Sequence, residues 1–389
     1  MTKILGLVGL RPGEGWAKSI TCPPYDVIKP GTALERLLKN SPDSLFHVTL
    51  GADPTGALAA MQAKGALVED WEPAYYIYEQ NYDYQNKQRV GVIAALEVTP
   101  YERREVIRHE KTFDEKVRGR IELMEATGYV TEPIWTLTKA PLGPLLRGIC
   151  AGREPVYEFT SDFGSESELD GIHNRVFRVP ASSAAGKNIE GMLADGLVYI
   201  ADGHHRYHSA LKMGLNACVA YICQDMDARI LAYNRVIKGK VDFQAVIGKL
   251  PLEKTASFTT PERHHFSIYT RDGCWQYKVS DVDEGDAIRR LDCQILEETL
   301  YPFLRLSHDM IMDNRYFDYY SEHELDKMAA VVDKGDYDLA VALHPVSMQE
   351  LMTVADAGLA DQEIVMPEKS TFFSPKILSG LMLMPAMRR

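Results

Sequence analysis

The stretch LVYIADGHHRYHSALKMGLNACVAYICQD, residues 197–225, decides the fold of this chain. Its first apolar run ends in a turn at Gly203 and predicts a buried strand. The residues that follow predict a helix that Gly214 stops, and the second apolar run predicts another strand. The order strand, helix, strand, with further strands and helices on either side, indicates a mixed α/β (α+β) protein rather than a helical bundle or a β-sandwich.

Composition limits the classes of function. The chain has 389 residues, 46% of them hydrophobic and 25% charged, which is ordinary for a folded globular protein. Its 43 basic and 55 acidic residues give a net charge of −12, and an acidic surface repels nucleic acid. Neither a membrane span of ~18 apolar residues nor a signal peptide is indicated. The six cysteines show no C-x-x-C spacing, as is typical of the reduced thiols of a cytoplasmic protein. We expect a small molecule, rather than nucleic acid or a membrane, as the partner, and a homodimer stays open.

Periodicity elsewhere gives a coarse map of the chain. Two β-rich segments within residues 74–98 flank a polar turn and predict a β-hairpin. Helical spacing predicts helices over residues 57–70, 115–127 and 286–300. An apolar run predicts a strand over residues 337–343.

This map predicts two regions around a central cleft. Residues 1–240, with a long insertion at about residues 51–190, would form the first region. Residues 241–389 would form a C-terminal α/β lobe that contributes to the cleft.

The turn Asp202-Gly203-His204-His205-Arg206 is the strongest candidate for a functional site. A helix N-terminus offers free backbone N–H groups and a partial positive charge, which both favour an anion. Gly203 permits a tight turn and a close approach of the backbone, and Arg206 carries a fork suited to phosphate oxygens. Asp202 is suited to hold a magnesium ion or to accept a proton from a hydroxyl nucleophile. The alternative is an aspartate that caps the helix beside an arginine in a surface ion pair.

His204, His205 and His208 follow one another at helical spacing, so a pair of them would share a helix face and could bind a metal ion. The sequence contains no HExxH pattern, and no third ligand is evident. A buried or capping role is therefore favoured, and a metal-dependent hydrolase built on these histidines stays an alternative.

Arg108-His109-Glu110-Lys111-Thr112 forms a second polar cluster. It follows a β-rich segment, where a loop can aim side chains into a cleft. Glu110 is suited to act as a general base, and Lys111 and Thr112 are suited to bind phosphate. A solvated helix face is the alternative, because densely mixed charges often form one.

The stretch MPEKSTFFSPK, residues 366–376, is the third polar cluster. Lys369, Ser370 and Thr371 offer donors suited to phosphate, although the glycines of a P-loop are missing before them. A polar connection between elements is the alternative.

The stretch CPPYD, residues 22–26, is rigid because two consecutive prolines fix the backbone. We interpret it as a structural turn. A wall of an active site is the alternative.

Five stretches together resemble a family that is catalogued as a domain of unknown function, DUF1015. They are, in order, CPPYDVI, RHEKT, ADGHHRY, LDCQILEETL and MPEKSTFFSPK. They are spread over residues 22–376, so the resemblance covers nearly the whole chain. The family name implies no activity.

The stretch ADGHHRYHSAL is also similar to the strand-to-helix turn of the ParB/sulfiredoxin fold, which binds nucleotide phosphates. Sulfiredoxins carry a cysteine at the position of His204, so the resemblance does not imply sulfinic-acid reduction. The free-serine-kinase branch of that fold has the pattern Asp-Gly-His-x-Arg, which Asp202, Gly203, His204 and Arg206 match. The resemblance implies nucleotide phosphates at the turn and a catalytic aspartate. It also implies that residues 1–240, apart from the insertion, form a ParB/sulfiredoxin-like nucleotide-binding unit within the larger α/β body. The second acidic residue of those kinases has no matching motif here, and Glu110 is taken for that role.

These observations favour a kinase that transfers a phosphoryl group from ATP or ADP, with Mg²⁺, to the hydroxyl of a small metabolite such as free L-serine. The candidate catalytic residues are Asp202, Glu110 and His204, and Asp202 would also hold the metal. The candidates for cofactor binding are Gly203, His205, Arg206, Lys111, Thr112, Lys369, Ser370 and Thr371. A non-enzymatic nucleotide-binding regulator and the metal-dependent hydrolase are the alternatives, and a DNA-acting protein ranks below them.

Overall fold

The computed structural model describes residues 3–82, 87–194, 196–238, 243, 247–311, 313, 315–367 and 369–388. It divides the chain into two compact units, Met1–Arg229 with Ser374–Arg389 and Ile230–Phe373. The second unit therefore begins before residue 240, and the chain from Ser374 onward returns to the first unit rather than ending the second. Helices and strands are both abundant, which confirms the mixed α/β class.

A ten-stranded sheet forms the first unit. Its strands are β1 (Ile4–Leu5), β2 (Leu7–Pro12), β3 (Leu67–Tyr82), β4 (Lys87–Glu97), β5 (Val106–Ile107), β7 (Ile134–Thr138), β8 (Tyr157–Thr160), β9 (His173–Pro180), β10 (Val198–Asp202) and β11 (Ala217–Gln224). The order is β5-β10-β7-β11-β4-β3-β9-β8, with β1 on β4 and β2 on β3. The short strands β6 (Tyr129–Val130) and β20 (Met384–Pro385) pair separately. All but the last residue of β11 is buried, as its continuous apolar run and central position require.

Eight helices of the first unit lie within the described residues. They are α1 (Ala17–Ile20), α2 (Ala33–Lys39), α3 (Phe46–Thr49), α4 (Pro54–Ala63), α5 (Asp114–Thr127), α6 (Leu142–Cys150), α7 (Ala184–Leu193) and α8 (His204–Lys212). Helices α5 and α8 pack against each other, and the Ser209 hydroxyl on α8 donates to the Val117 carbonyl on α5 at 3.0 Å. This packing fixes the direction in which α8 leaves the sheet.

The elements predicted from sequence agree with the first unit, with one clear exception. The predicted hairpin is the antiparallel pair β3–β4, and the helix predicted over residues 115–127 is α5. The helix predicted over residues 57–70 is wrong in its second half, because α4 ends at Ala63 and β3 begins at Leu67. Gly65 turns the chain between them with a φ of 72°, a backbone conformation that glycine adopts readily.

The second unit contains a six-stranded sheet in the order β14-β16-β15-β18-β13-β17. The strands from residue 229 to residue 374 are β12 (Arg229–Leu231), β13 (Tyr233–Ile237), β14 (Leu252–Thr255), β15 (His265–Thr270), β16 (Gly273–Lys278), β17 (Phe317–Ser321), β18 (Leu339–Leu343) and β19 (Phe372–Ser374). The helices for which the described residues give bounds are α9 (Asp292–Phe303), α10 (His308–Ile311), α11 (Leu325–Lys334) and α12 (Met348–Ala360). Leu296 and Leu300 of α9 lie with Phe266 and Phe317 of the sheet in one buried core.

Two predicted elements of the second unit can be compared directly. The strand predicted over residues 337–343 is β18. The helix predicted over residues 286–300 begins later, at Asp292, because residues 286–290 form turns. None of the helices in the described ranges is long and apolar enough to cross a membrane.

Candidate functional site

The turn between β10 and α8 depends on a glycine. Gly203 has a φ of 93°, and a Cβ there would lie 2.9 Å from Arg206 Nε and 3.1 Å from Ile134 Cγ2. Glycine is therefore required both by the backbone and by the space. As the residue that precedes the first turn of α8, it has no side chain to cap the helix. The N-terminus of a helix favours an anion, so the start of this nine-residue helix is a potential anion site.

Asp202 lies between two cations at this turn. Its Oδ1 accepts a hydrogen bond from Lys376 Nζ at 2.8 Å, and its Oδ2 accepts one from the Arg206 guanidinium. Arg206 also donates to the carbonyl of Pro133, the residue before β7. Burial alone would raise the pKa of Asp202, but Lys376 and Arg206 outweigh it and hold that pKa well below its usual range. The carboxylate is therefore ionised at every physiological pH, which favours binding of a cation over acceptance of a proton.

Lys376 is held in place through its backbone. Its N–H donates to Glu168 Oε1 at 2.9 Å, and its carbonyl accepts from Gln80 Nε2 at 3.0 Å. Arg89, which is fully buried, donates to the carbonyl of Pro375. The ammonium group thus reaches Asp202 from a fixed anchor, the kind of preorganisation that a binding site needs.

The loop that contains RHEKT meets the same turn. Strands β5 and β10 are parallel neighbours, so the chain segments that leave their carboxyl ends lie at the same edge of the sheet. Glu110 Oε2 lies 3.4 Å from His204 Nδ1, and the His109 N–H lies 3.4 Å from His204 Nε2. Burial, with His109 nearby, lowers the pKa of His204 well below its usual value, so this imidazole is neutral at neutral pH.

The remaining residues of the two motifs have other neighbours. His205 Nε2 accepts the Phe113 N–H at 3.1 Å, and the two rings are stacked. Lys111 is exposed and Thr112 is half-buried, both in the loop before α5. His208 stacks on Tyr101 with ring centroids 6.0 Å apart. In the described part of the chain, His204, His205 and His208 therefore face different neighbours, and they form no common metal site.

Lys369, Ser370 and Thr371 lie in the second unit. Lys369 Nζ is 3.3 Å from the Tyr233 hydroxyl and lies over the ring of the same tyrosine. Ser370 donates to the carbonyl of Pro367, and Thr371 is buried. The lysine of MPEKSTFFSPK that contacts Asp202 is the last one of this stretch.

The rigid CPPYD turn contributes to the surroundings of Arg206. Glu132 Oε1 accepts the N–H of Tyr25 at 3.1 Å and the hydroxyl of Ser379 at 2.9 Å. The Arg120 guanidinium lies 3.9 Å from the Tyr25 ring centroid and 3.4 Å from Glu132 Oε2. Burial raises the pKa of Tyr25 to about 12, and Glu132 and Tyr25 both interact electrostatically with Arg206. Tyr25 of this turn therefore lies near both Glu132 and Arg206.

Sequence reasoning missed several residues around the site. Lys376 and Tyr25 stand in quoted motifs, so their stretches carried a signal even though the individual residues were not chosen. Arg89, Glu132 and Glu168 stand in no motif and gave no signal. Each of them contacts residues that are distant in the sequence and become neighbours only in the folded chain.

The fold and the site define an α/β protein with an ionised carboxylate that lies between two cations at the start of a helix. The chain belongs to the family of proteins of unknown function DUF1015, whose model matches residues 4–294. A search of curated proteins found no match.

Three solved structures are similar to this chain. One is SbnI with a C-terminal truncation from Staphylococcus aureus, at 14% identity over 76% of this chain and 88% of that chain, with a TM-score of 0.43. Another is a conserved hypothetical protein from Pyrococcus furiosus, at 14% identity over 75% and 95%, with a TM-score of 0.37. A mutant of free serine kinase in complex with ADP is the third, at 14% identity over 77% and 97%, with a TM-score of 0.39. At these values the function of this chain has to be argued from its own residues.

Proposed function

We propose that the chain is a nucleotide-dependent phosphotransferase. It would pass a phosphoryl group from ATP or ADP to the hydroxyl of a small metabolite, and free L-serine is the first acceptor to test. The arrangement of Asp202, Lys376 and Arg206 at the start of α8 is the observation that supports this function most. Two cations and a row of backbone N–H groups suit phosphate, and an ionised carboxylate beside them suits the divalent cation that accompanies a nucleotide.

The cations would change partners when a nucleotide binds. In the structure Lys376 and Arg206 both contact Asp202. Phosphate oxygens would compete with the carboxylate for these two groups, and the first N–H groups of α8 would take further oxygens. Phosphoryl transfer depends mainly on such positioning and on stabilisation of the charge that develops on the transferred group.

The donor set at Asp202 fits magnesium, because an ionised carboxylate and phosphate oxygens are the hard ligands that this ion prefers. Bound Mg²⁺ would neutralise charge on the phosphates. Asp202 would hold it, and the low pKa of this carboxylate keeps it in the ligand form. Lys376 would then be released towards the phosphates.

Glu110 is the carboxylate that we assign as proton acceptor. The acceptor oxygen would form the new P–O bond, the bond to the departing nucleotide oxygen would break, and the hydroxyl proton would pass to the base. The Glu110 side chain is 26% exposed and lies beside His204, so a small acceptor could reach it. Asp202 is the weaker candidate for this step, because Lys376 and Arg206 lower its pKa.

Phosphorus NMR tests the proposal directly. Purified protein would be incubated with Mg²⁺, ATP or ADP, and a pool of hydroxyl metabolites that includes L-serine. A new phosphomonoester signal is expected, and division of the pool would identify the acceptor. Inorganic phosphate alone would replace the proposal with hydrolysis.

A non-enzymatic nucleotide-binding regulator is the second candidate. It is favoured by the two cations on Asp202, because a carboxylate with so low a pKa is a poor base. Nucleotide binding without any new phosphorus signal, with either donor, would support the regulator over the enzyme.

A further inference from the structure

Three side chains with metal-binding atoms lie together where β5 and β10 end. His109, Glu110 and His204 each offer one ligand atom, and these atoms all lie within 4.8 Å of one another. The rings of His109 and His204 are 4.5 Å apart between centroids, with planes at 83°. Glu110 Oε2 faces His204 Nδ1 at 3.4 Å. The histidines singled out from sequence, His205 and His208, do not belong to this group.

We propose that His109, Glu110 and His204 bind one first-row divalent transition-metal ion. Two imidazoles and one carboxylate are ligands that such ions accept readily. Magnesium prefers oxygen ligands throughout, so this site differs in chemistry from the one that we assign to Asp202. Three protein ligands leave further coordination positions for water or for a ligand oxygen. Ligation through Oε2 of Glu110, which faces His204, would leave its Oε1 for the proton-acceptor role that we assign to this residue above.

Both imidazoles are buried beside the proposed ion. His109 and His204 are 0% and 2% exposed, so a bound ion would be shielded from bulk water on this side. Ligation through Nδ1 of His204 requires its ring proton on Nε2. The weak contact of 3.4 Å that Nε2 accepts from the His109 N–H would then be lost in exchange for a metal–nitrogen bond.

The ligand group is slightly wider than an occupied site. Zinc–nitrogen bonds of about 2.0–2.1 Å place tetrahedral ligands ~3.3 Å apart, so the longest separation of 4.8 Å must shorten. His204 is fixed at the start of α8. Glu110 lies in the irregular loop between β5 and α5, and its side chain is 26% exposed. It is therefore the ligand that can close onto the ion.

The site would add positive charge beside the proposed phosphate site. Asp202 interacts electrostatically with both His109 and His204. A bound cation would favour a phosphate at the adjacent helix start, and by linkage a phosphate would favour the cation. The metal site does not depend on phosphoryl transfer, because its ligands are defined without a nucleotide.

Cobalt binding tests the proposal on the full-length chain. Chelator-treated protein would be dialysed against Co²⁺ with excess Mg²⁺, and bound cobalt and its visible absorption would be recorded. We expect one equivalent, with a spectrum of nitrogen and oxygen ligands, and we expect loss of this equivalent in His109→Ala and Glu110→Gln. Glu110→Gln keeps the size of the side chain, so it should fold even where His109→Ala does not. Absence of the bound equivalent in the wild type would overturn the proposal.

His205→Ala and His208→Ala are the matched controls. Both histidines lie on α8 beside His204 but outside the proposed ligand group, so both variants should keep the cobalt and its spectrum. Loss of cobalt in either control, with retention in Glu110→Gln, would assign the metal to His204, His205 and His208 and would overturn the proposal. Cobalt should also raise the melting temperature of the wild type but not of Glu110→Gln. These readouts require no enzyme activity, so they stay decisive if no phosphoryl transfer is found.

Discussion

Two aspartates of the first unit are each flanked by two cations, but they differ in their place in the fold. Asp70 lies within β3, and Asp202 lies at the turn into α8. Asp70 on β3 accepts two hydrogen bonds from Arg178 on β9, at 2.8 and 3.1 Å, and Arg11 on β2 lies 3.5 Å away. Asp202 is bracketed by Arg206 and Lys376. Both carboxylates have a lowered pKa.

The surroundings distinguish the two clusters. Asp70 and Arg178 form a two-pronged pair across neighbouring strands, and the Tyr76 hydroxyl donates to the same carboxylate. Its hydrogen-bond donors come from two strands of the sheet, β3 and β9. Asp202 lies at the turn into α8, next to the N-terminal end of that helix. A low carboxylate pKa therefore marks a structural ion pair as readily as a functional one, and the helix end makes the difference.

Substitution of each aspartate by asparagine should separate these roles most strongly. Asp202→Asn is expected to lower phosphoryl transfer by ~10²–10⁴-fold, because it removes the charge that would hold the cation. Binding of ADP without Mg²⁺ should persist, since Lys376 and Arg206 lose a competing carboxylate. Asp70→Asn should keep turnover. Equal losses in the two variants, measured by the phosphorus assay, would remove the distinction.

Exchange of a lysine should have the next largest effect. Lys376→Met is expected to weaken ADP binding about tenfold to a hundredfold, because a hydrogen bond to a charged group contributes about 1.5–3 kcal/mol. Lys369→Met tests the lysine chosen from sequence, which contacts Tyr233 in the second unit. Calorimetric titration of both variants would decide between them. A loss confined to Lys369→Met would favour the sequence-based assignment.

Gly203→Ala should destabilise the protein and weaken nucleotide binding. A left-handed alanine costs roughly 1–2 kcal/mol, and the new methyl group would also press on Arg206 and Ile134. Gly128→Ala is the matched control, because Gly128 has a φ of 74° with open space around its Cβ position. Urea unfolding should show a larger loss for Gly203→Ala. Equal losses would mean that Arg206 and Ile134 move to make room for the methyl group without lowering the free energy of unfolding further.

The contribution of Asp70 to the free energy of unfolding should depend on pH. Burial opposes the lowering of its pKa, but the bonds from Arg178 and Tyr76 outweigh burial. Because the pKa of Asp70 is lower in the folded state, its stabilising contribution is complete above the unfolded-state pKa of about 3.9. The contribution is lost as the pH falls through the folded-state pKa. The difference in unfolding free energy between wild type and Asp70→Asn should therefore shrink below about pH 4. A difference that grows on acidification would contradict this account.

The local part of the site could be predicted from sequence. Strand β10, the glycine turn and helix α8 follow from one apolar run, Gly203 and helical spacing. The proximity of Glu110 to His204 could not be derived, because it depends on the parallel pairing of β5 with β10. Such pairing over long sequence separation leaves no local signal.

Lys376 shows the same limit more sharply. The MPEKSTFFSPK stretch was recognised as polar, but its chain crosses from the second unit back to the first at Ser374. Composition does not indicate where the chain returns to the first unit, so it could not show which lysine of this stretch contacts Asp202. Buried partners such as Arg89 and Glu168 place that segment, and neither stands in a motif.

A crystal structure with bound ADP and Mg²⁺ tests the central claim most directly, namely that the Asp202 turn binds nucleotide phosphates. The account predicts phosphate oxygens within hydrogen-bond distance of the first N–H groups of α8, with Lys376 turned from Asp202 towards them. A nucleotide whose phosphates lie away from this turn, with Lys376 still on Asp202, would contradict it.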